Sequence, residues 1–371
     1  MQHFFQALNL IERCDAKVIS LGILTLHPHV ESNYATAMAK QSKKYGISVF
    51  RFHPHQWDAA TNLVKGKQYD DAAGTWKDCT FPLPEYIYDR CYYSYRHQLD
   101  EYITVKKLKQ KADFLSTGLP NKWSVFQTLK RHPSLRPFLP KTAKVSSTEA
   151  ILSQLAIEKK LVLKPLWGAH GKGIFFLKKA KHAIAIHTHH SGSKITKTMP
   201  LKHFKRWLHT INAAQNYMMQ SFLPLMNDRN EPFDVRILVQ KNRQGKWQET
   251  GRGLRIGKQG NYVSNLHNGG KIISFNEWLL RTPPVRKHRA MKQLDAIIAL
   301  LPPLLEKRHG PLFEIGIDVG IDQSGNCWVL EANSKPGYRT ILKTTNKKLF
   351  ERPLQYCLYL HRLKSKGVAQ R

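Results

Sequence analysis

In the stretch Phe313-Glu-Ile-Gly-Ile-Asp-Val-Gly-Ile-Asp-Gln-Ser-Gly-Asn-Cys-Trp-Val-Leu-Glu-Ala-Asn333, a strongly basic chain carries its only regularly spaced acids. Phe313, Ile315, Ile317, Val319 and Ile321 alternate with Glu314, Gly316, Asp318 and Gly320, the period of two that marks a strand. Trp328, Leu330 and Ala332 alternate with Val329, Glu331 and Asn333 in a second strand, and Asp322-Gln-Ser-Gly325 makes the turn between them. Symmetric folding about Gln323-Ser324 sets Ile321 against Asn326, Asp318 against Val329 and Glu314 against Asn333. Asp318 and Glu331 then lie diagonally on one face, with side-chain roots about 7 Å apart. Two carboxylates and the Asn333 amide oxygen form a hard-oxygen set suited to Mg²⁺.

A second chemical candidate is Lys164-Pro-Leu-Trp-Gly168-Ala-His-Gly171-Lys-Gly173. Three closely spaced glycines let backbone N–H groups approach an anion without side chains in the way, and Lys164 adds a point charge. The spacing is that of neither a Walker A loop nor a dinucleotide fingerprint, and a strand rather than a helix follows. The loop reads as a flap over nucleotide phosphates; its plainer reading is an ordinary glycine hairpin.

These residues need positioning elements. Lys17 to Thr25 reads as a buried strand, Tyr34 to Lys44 as a helix with Gly46 as C-cap, and Ile47 to Phe52 as a second strand. This β-α-β order implies a parallel sheet, to which Leu83 to Cys91 adds a strand. Asn121 is placed to cap a helix beginning at Lys122. Leu161 to Pro165 and Ile174 to Leu177 read as strands flanking the glycine loop, and His182 to Ser193 as an exposed polar connection. Strands at Arg236 to Gln240 and Trp247 to Thr250 precede a glycine-rich segment, Ser264 to Gly270. A helix around Arg289 to Leu301 leads into the acidic hairpin, and Pro353 to Leu363 closes the chain as an amphipathic helix with its proline in the first turn.

The 371 residues suffice for several cores, with 42% hydrophobic and 10% aromatic residues. Five cysteines, none in a C-x-x-C pair, argue against a disulfide framework or structural zinc. Glu12 and Asp15 interrupt any secretory apolar core, and no run has the length of a membrane span, so a cytoplasmic location is expected. Fifty-nine Lys and Arg against 26 Asp and Glu leave a formal charge of +33, more than solubility requires. The charge points to a polyanionic partner, or else to a general basic bias. Oligomeric state is not legible.

In order and spacing, the flap, Gln220-Ser-Phe-Leu223, Asp234-Val-Arg236 and Asp318…Glu331-Ala-Asn333-Ser-Lys-Pro336-Gly337 resemble the ATP-grasp superfamily over roughly residues 120 to 340. Leu83-Pro-Glu-Tyr-Ile-Tyr-Asp-Arg90, Ser264-Asn-Leu-His-Asn-Gly-Gly270 and Glu314-Ile-Gly-Ile-Asp318 look like the YheC/YheD endospore-coat-associated members. The resemblance implies α/β plus α+β architecture. An N-terminal parallel-sheet domain (1–115) would precede a linker and small lobe with the flap (116–225), a large lobe with the metal site (226–345) and a C-terminal helix with a basic tail (346–371).

It further implies an ATP- and Mg²⁺-dependent ligase that activates a carboxylate as an acylphosphate for an amine or similar nucleophile. Lys164 and Lys122 (with Lys141 in reserve) would contact α/β-phosphates. Gly168, Gly171, Lys172 and Gly173 would cover the β/γ-phosphates, and the backbone of Gln220, Ser221, Phe222 and Leu223 would meet adenine. Asp318, Glu331 and Asn333 would hold Mg²⁺, Glu331 bridging two ions. Arg255 and Arg236 would neutralise the transferred phosphoryl group, and Glu314 would support the site or touch substrate. Phosphoryl transfer relies on positioning and charge neutralisation, which these residue types supply.

Plainer readings stand beside these. Arg236 could pair with Asp234 between strands, Arg255 could be one of many surface arginines, and Lys122 could lie on an exposed helix face. Irregular spacing of His182, His187, His189 and His190 favours solvent over a metal. Trp167 reads as packing rather than stacking on adenine. Asn268 to Lys271 fits phosphate or substrate contact and a tight hairpin equally. A rival function is a basic spore-coat or anionic-polymer-binding protein that uses the same fold without ligase activity. An acidic peptide or other polyanion is the substrate suggested by charge.

Overall fold

The computed structural model describes residues 18–27, 29, 31–93, 98–168, 171–190, 193–264, 269–344 and 348–367. Readings on Cys14, Lys17, Ala169, His170 and Asn265 to Asn268 lie outside them.

The first sheet comprises β1 (Ile19–Leu24), β2 (Ile47–Phe52), β3 (Trp57–Asp58), β4 (Leu63–Asp70), β5 (Thr75–Pro82), β6 (Tyr86–Asp89) and β7 (Asp113–Phe114). The four strands β2-β1-β6-β7 are parallel, as the β-α-β reading requires. An antiparallel β4–β5 hairpin extends this sheet, unforeseen because lysines and aspartates interrupt the apolar pattern of both strands. Helix α1 (Ser32–Ser42) makes the β1–β2 crossover, and α2 (Leu99–Leu108) lies between β6 and β7.

Helix α3 (Lys122–Lys130) starts at Asn121, whose side chain accepts the Ser124 N–H at 3.0 Å. The second sheet holds β8 (Thr142–Lys144), β9 (Lys160–Pro165), β10 (Phe175–Lys179), β11 (Ala183–His190), β12 (Ser193–Pro200) and β13 (Tyr217–Ser221) in the order β12-β11-β10-β9-β13-β8. Its apolar face packs on α4 (Thr148–Glu158) and α5 (Leu201–Ala214) through Ile151, Leu155, Leu163, Phe204 and Leu208. The expected connection at His182 to Ser193 is instead the β11–β12 hairpin. Ile184 and Ile186 alternate into the core, which commits the segment to a strand despite its histidines. His187 is correspondingly half-buried, hydrogen-bonded to Thr196 at 2.8 Å.

The third sheet, in the order β16-β15-β14-β17-β18, contains β14 (Phe233–Lys241), β15 (Trp247–Ile256), β16 (Lys271–Ser274), β17 (Glu314–Ile321) and β18 (Cys327–Asn333). Helices α6 (Phe275–Arg281) and α7 (Pro284–His309) come between β16 and β17. Helix α7 is longer than the expected Arg289 to Leu301, running through Pro302 and Pro303 because Leu301 and Leu305 remain anchored in the core. Val235, Ile237, Ile315, Ile317 and Val319 form the apolar face of this sheet against α7. The opposite face of β14 and β17 carries Asp234, Arg236, Gln240, Glu314 and Asp318, yet is buried too, which places a polar network inside the protein.

Helices α8 (Arg339–Thr344) and α9 (Lys348–Ser365) close the described chain, α9 sharing a core with the first sheet through Leu349, Leu354, Tyr356 and Leu360. Pro353 lies inside α9 rather than in its first turn. It cannot donate to the Leu349 carbonyl, which instead accepts the Tyr34 hydroxyl at 3.5 Å.

Candidate functional site

A cleft of about 1850 Å³ runs between the three sheets. One end is built where β9, α3 and β18 meet. The flap turn holds Gly168, Gly171 and Gly173 at φ 134°, 75° and 72°, left-handed conformations open to glycine. Lys172 is exposed on that turn and borders the cleft. The Lys122 Nζ donates to the Gly168 carbonyl and lies 3.3 Å from Glu331 Oε1. Lys164 Nζ donates to Gln220 Oε1 at 2.7 Å and faces the Leu330 carbonyl at 3.5 Å. Both lysines therefore converge on β18. Lys141 does not border the cleft; its backbone carbonyl accepts the Ser221 N–H.

Gln220 is buried, and its amide also donates to Thr142 at 2.9 Å. The Ser221 hydroxyl donates to Glu158 at 2.8 Å. Phe222 and Leu223 continue along the cleft, where Phe222, Phe176 and Tyr262 pack on one another as an aromatic cluster with ring centroids 5.0 to 6.3 Å apart. Sequence reasoning missed Tyr262; no local pattern distinguishes it. Trp167, expected to pack, is instead 65% exposed at the cleft wall.

The acidic hairpin forms with a different register. Ile321 pairs with Cys327, Val319 with Val329, Asp318 directly with Glu331 and Gly316 with Asn333. Two one-residue shifts explain the change. The turn is longer than expected, with Gly325 at φ 83° and Asp322 accepting the Ser324 and Asn326 N–H groups at 2.9 Å. A bulge between Asp318 and Val319 then accommodates Leu330 as an extra residue. The shifts bring Asp318 and Glu331 from diagonal to opposite positions. Asn333 Oδ1 is buried and has no hydrogen-bond partner among the described residues.

Asp318 sits in a network of buried charges. It pairs with Arg236, its register partner on β14, through two hydrogen bonds, one of 3.1 Å, and with Arg255 at 2.9 Å. Arg255 also grips Asp234, its register partner, with Nε 2.9 Å from Oδ1. Arg255 is thus no surface arginine, and the partner of Arg236 is Asp318 rather than Asp234. Burial would raise the Asp318 carboxyl, but the two guanidiniums outweigh it and hold it below its usual range. Glu314 belongs to a separate cluster with Arg90 (2.7 Å), Tyr88 (2.9 Å), Tyr338 (2.7 Å) and Gln240 (3.0 Å). It joins the first and third sheets. Burial raises its carboxyl above the ordinary range, against the pull of Arg90.

Burial lowers Lys164 to about 8, even with Glu331 favouring its charge. The ammonium is therefore charged at neutral pH and discharges as pH rises through about 8. Anion affinity at this end should weaken between pH 7 and 9, and Lys164→Arg should abolish that dependence, as checked by titrating ADP across the range. Folding stability has the opposite sign: above about pH 8 the unfolded lysine binds more protons, so stability rises progressively up to the ordinary lysine range.

Sheets, flap and hairpin together define the ATP-grasp fold. D-cycloserine synthetase DcsG shares it with a TM-score of 0.54 at 12% identity, covering 93% of this chain and 99% of the other. D-alanyl-alanine synthetase A from Vibrio cholerae O1 biovar eltor str. N16961 gives 0.54 at 10% identity, covering 93% and 100%. Residues 111–360 match the family described as YheC/D like ATP-grasp. The endospore coat-associated protein YheC of Bacillus subtilis (strain 168) is 34% identical over 362 residues, 95% of this chain and 99% of that protein. YheD of the same organism is 28% identical over 308 residues, 80% of this chain and 66% of that protein. The chain belongs to the YheC/D-like ATP-grasp family. No helix among the described residues is long and apolar enough to cross a membrane.

Proposed function

We propose that the protein is an ATP- and Mg²⁺-dependent ligase that activates a carboxylate as an acylphosphate for attack by an amine or similar nucleophile. The observation carrying this reading is the convergence of Lys122, Lys164 and the glycine turn on Glu331 and Asn333 in one cleft. Residues 116–225 supply the flap side and 226–345 the acidic side, with the N-terminal sheet as the far wall and α9 as the closing helix. Lys122, Lys164 and Lys172 bind phosphate oxygens, with the backbone of Gly168, Gly171 and Gly173 close to them. Gln220 to Leu223 hold the base, with the aromatic cluster of Phe176, Phe222 and Tyr262 beside them.

The residues present fit a hard cation: Asn333 offers an unpartnered buried oxygen, Glu331 a half-buried carboxylate, and Asp318 a second carboxylate. Mg²⁺ there would neutralise charge on the phosphate oxygens. Asp318 is the guarded member, its oxygens already taken by Arg236 and Arg255. An arriving phosphoryl group gives those two guanidiniums an alternative anion, coupling release of Asp318 to their use in charge neutralisation.

Calorimetry with ATP, with and without Mg²⁺, tests the reading. The wild type should bind in a Mg²⁺-dependent way and Lys164→Ala should bind about tenfold or more weakly. Undiminished affinity in that variant sinks it. A coat context comes from the names of the two Bacillus relatives.

One observation favours a second reading, a polyanion-binding coat protein that uses the fold without turnover. Residues 159–227 contain no aspartate or glutamate, while Lys178, Lys179, Lys194, Lys202 and Lys205 lie exposed there. Anionic-polymer affinity that falls steeply with salt and ignores ATP would select this reading.

A further inference from the structure

Beyond the phosphate end the cleft continues along the first sheet. Leu99, Tyr102, Lys106 and Lys109 recur at three- and four-residue intervals on α2 and its C-cap, so they form one stripe, and all four border the cleft. The stripe is apolar at one end and cationic at the other. Leu99 is 48% and Tyr102 40% exposed, so neither is consumed by the core. A ladder links this stripe to the reaction end. Lys106 Nζ lies 4.9 Å from the Tyr102 ring centroid, Tyr102 is 5.6 Å from Tyr93, and Tyr93 is 4.7 Å from Lys335 Nζ. Lys335 follows Asn333 by two residues and is neutralised by Asp89 at 2.6 Å. Lys106 and Lys109 have no acidic partner within ion-pair distance among the described residues.

Size points the same way. Pockets for single small ligands run to about 1,000 Å³. At about 1850 Å³, this cleft has room for a nucleotide and a second, extended ligand.

We infer that this wall receives a peptide carrying several carboxylates, one directed to the Glu331–Asn333 end and others toward Lys106 and Lys109. Like-facing side chains on an extended peptide repeat every ~6.6 Å, and helical neighbours one turn apart have Cβ atoms ~5–6 Å apart, a mismatch that lysine stems absorb. Lysine, a hydrated point charge, suits carboxylates arriving without fixed bidentate geometry. Tyr93 and Tyr102 supply apolar surface for the intervening backbone. The inference rests on the ligase reading for which carboxylate reacts; binding itself needs no nucleotide.

Fluorescence polarisation with labelled hexa-glutamate and the full chain, free of nucleotide, tests it. Hexa-glutamate should bind, hexa-glutamine should not, and Lys106→Glu should weaken binding by about tenfold or more. Lys106→Gln should give an intermediate loss, and Tyr102→Ala a severalfold one, with melting curves unchanged. Equal binding by hexa-glutamine, or no effect of Lys106→Glu, overturns the inference. Competition by tripolyphosphate as strong as by hexa-glutamate overturns it in favour of a phosphate ligand. ADP titrated on the same samples separates the two readings: retained Lys106-dependent peptide binding without ADP binding sinks the ligase reading and supports this one.

Discussion

Glu331→Gln is expected to lower turnover by about 10³-fold while leaving the protein folded. Glu331 is half-buried, faces Asp318 across the hairpin and lies 3.3 Å from Lys122. The amide preserves shape but removes the negative charge that the proposed reaction places opposite phosphate and metal. Its pair with Lys122 is partly exposed and Lys122 keeps the Gly168 carbonyl, so the stability loss should stay within about 1 kcal/mol. Glu314→Gln is the instructive contrast. Glu314 is buried among Arg90, Tyr88, Tyr338 and Gln240, so its neutralisation takes from Arg90 one of two carboxylate partners, leaving Glu31 at 2.7 Å, and acts on folding before chemistry. ADP release screened over amino acids, acidic peptides and spore-envelope components, with denaturant unfolding in parallel, distinguishes the two. Normal turnover in Glu331→Gln would remove that residue from the site.

The same two acids show what a sequence can and cannot convey. Alternation reported correctly that Glu314, Asp318 and the glycines share one face of β17, because a one-residue slip would invert every side chain. The left-handed glycines and the Asn121 cap were equally legible, each being a local requirement of the backbone. The pairing across the hairpin was not. A longer turn and a bulge each move the register by one residue, and neither alters the hydrophobic pattern of either strand. The partners of Glu314 were out of reach for another reason: Arg90 lies 224 positions away in the chain, and only folding brings it near. In β11 the histidines mask the alternation of Ile184 and Ile186, which is the stronger strand signal.

The buried arginine network predicts the largest change in stability. Arg255→Met should destabilise the fold by about 3–5 kcal/mol, because it leaves Asp234 as a buried carboxylate deprived of its guanidinium. The Ser264 hydroxyl, 2.7 Å from Asp234 Oδ1, can solvate that charge only in part. Asp318 would keep Arg236, so its loss should be smaller. Adding Asp234→Asn to Arg255→Met should recover much of the stability, and urea unfolding of the four combinations measures the coupling. Acid provides an independent reading. Asp318 is held below the normal carboxyl range by both arginines, so its contribution is complete above the unfolded value near pH 4 and is lost as pH falls through the depressed one. The Arg255→Met variant should show a shallower loss over that window. Arg255→Lys then divides structure from chemistry: a point charge can keep Asp234 paired, but cannot hold Asp234 and Asp318 with one planar fork. Stability mostly retained with turnover lost would place Arg255 on the phosphoryl group. Stability and turnover falling together would confine it to the support of Asp318.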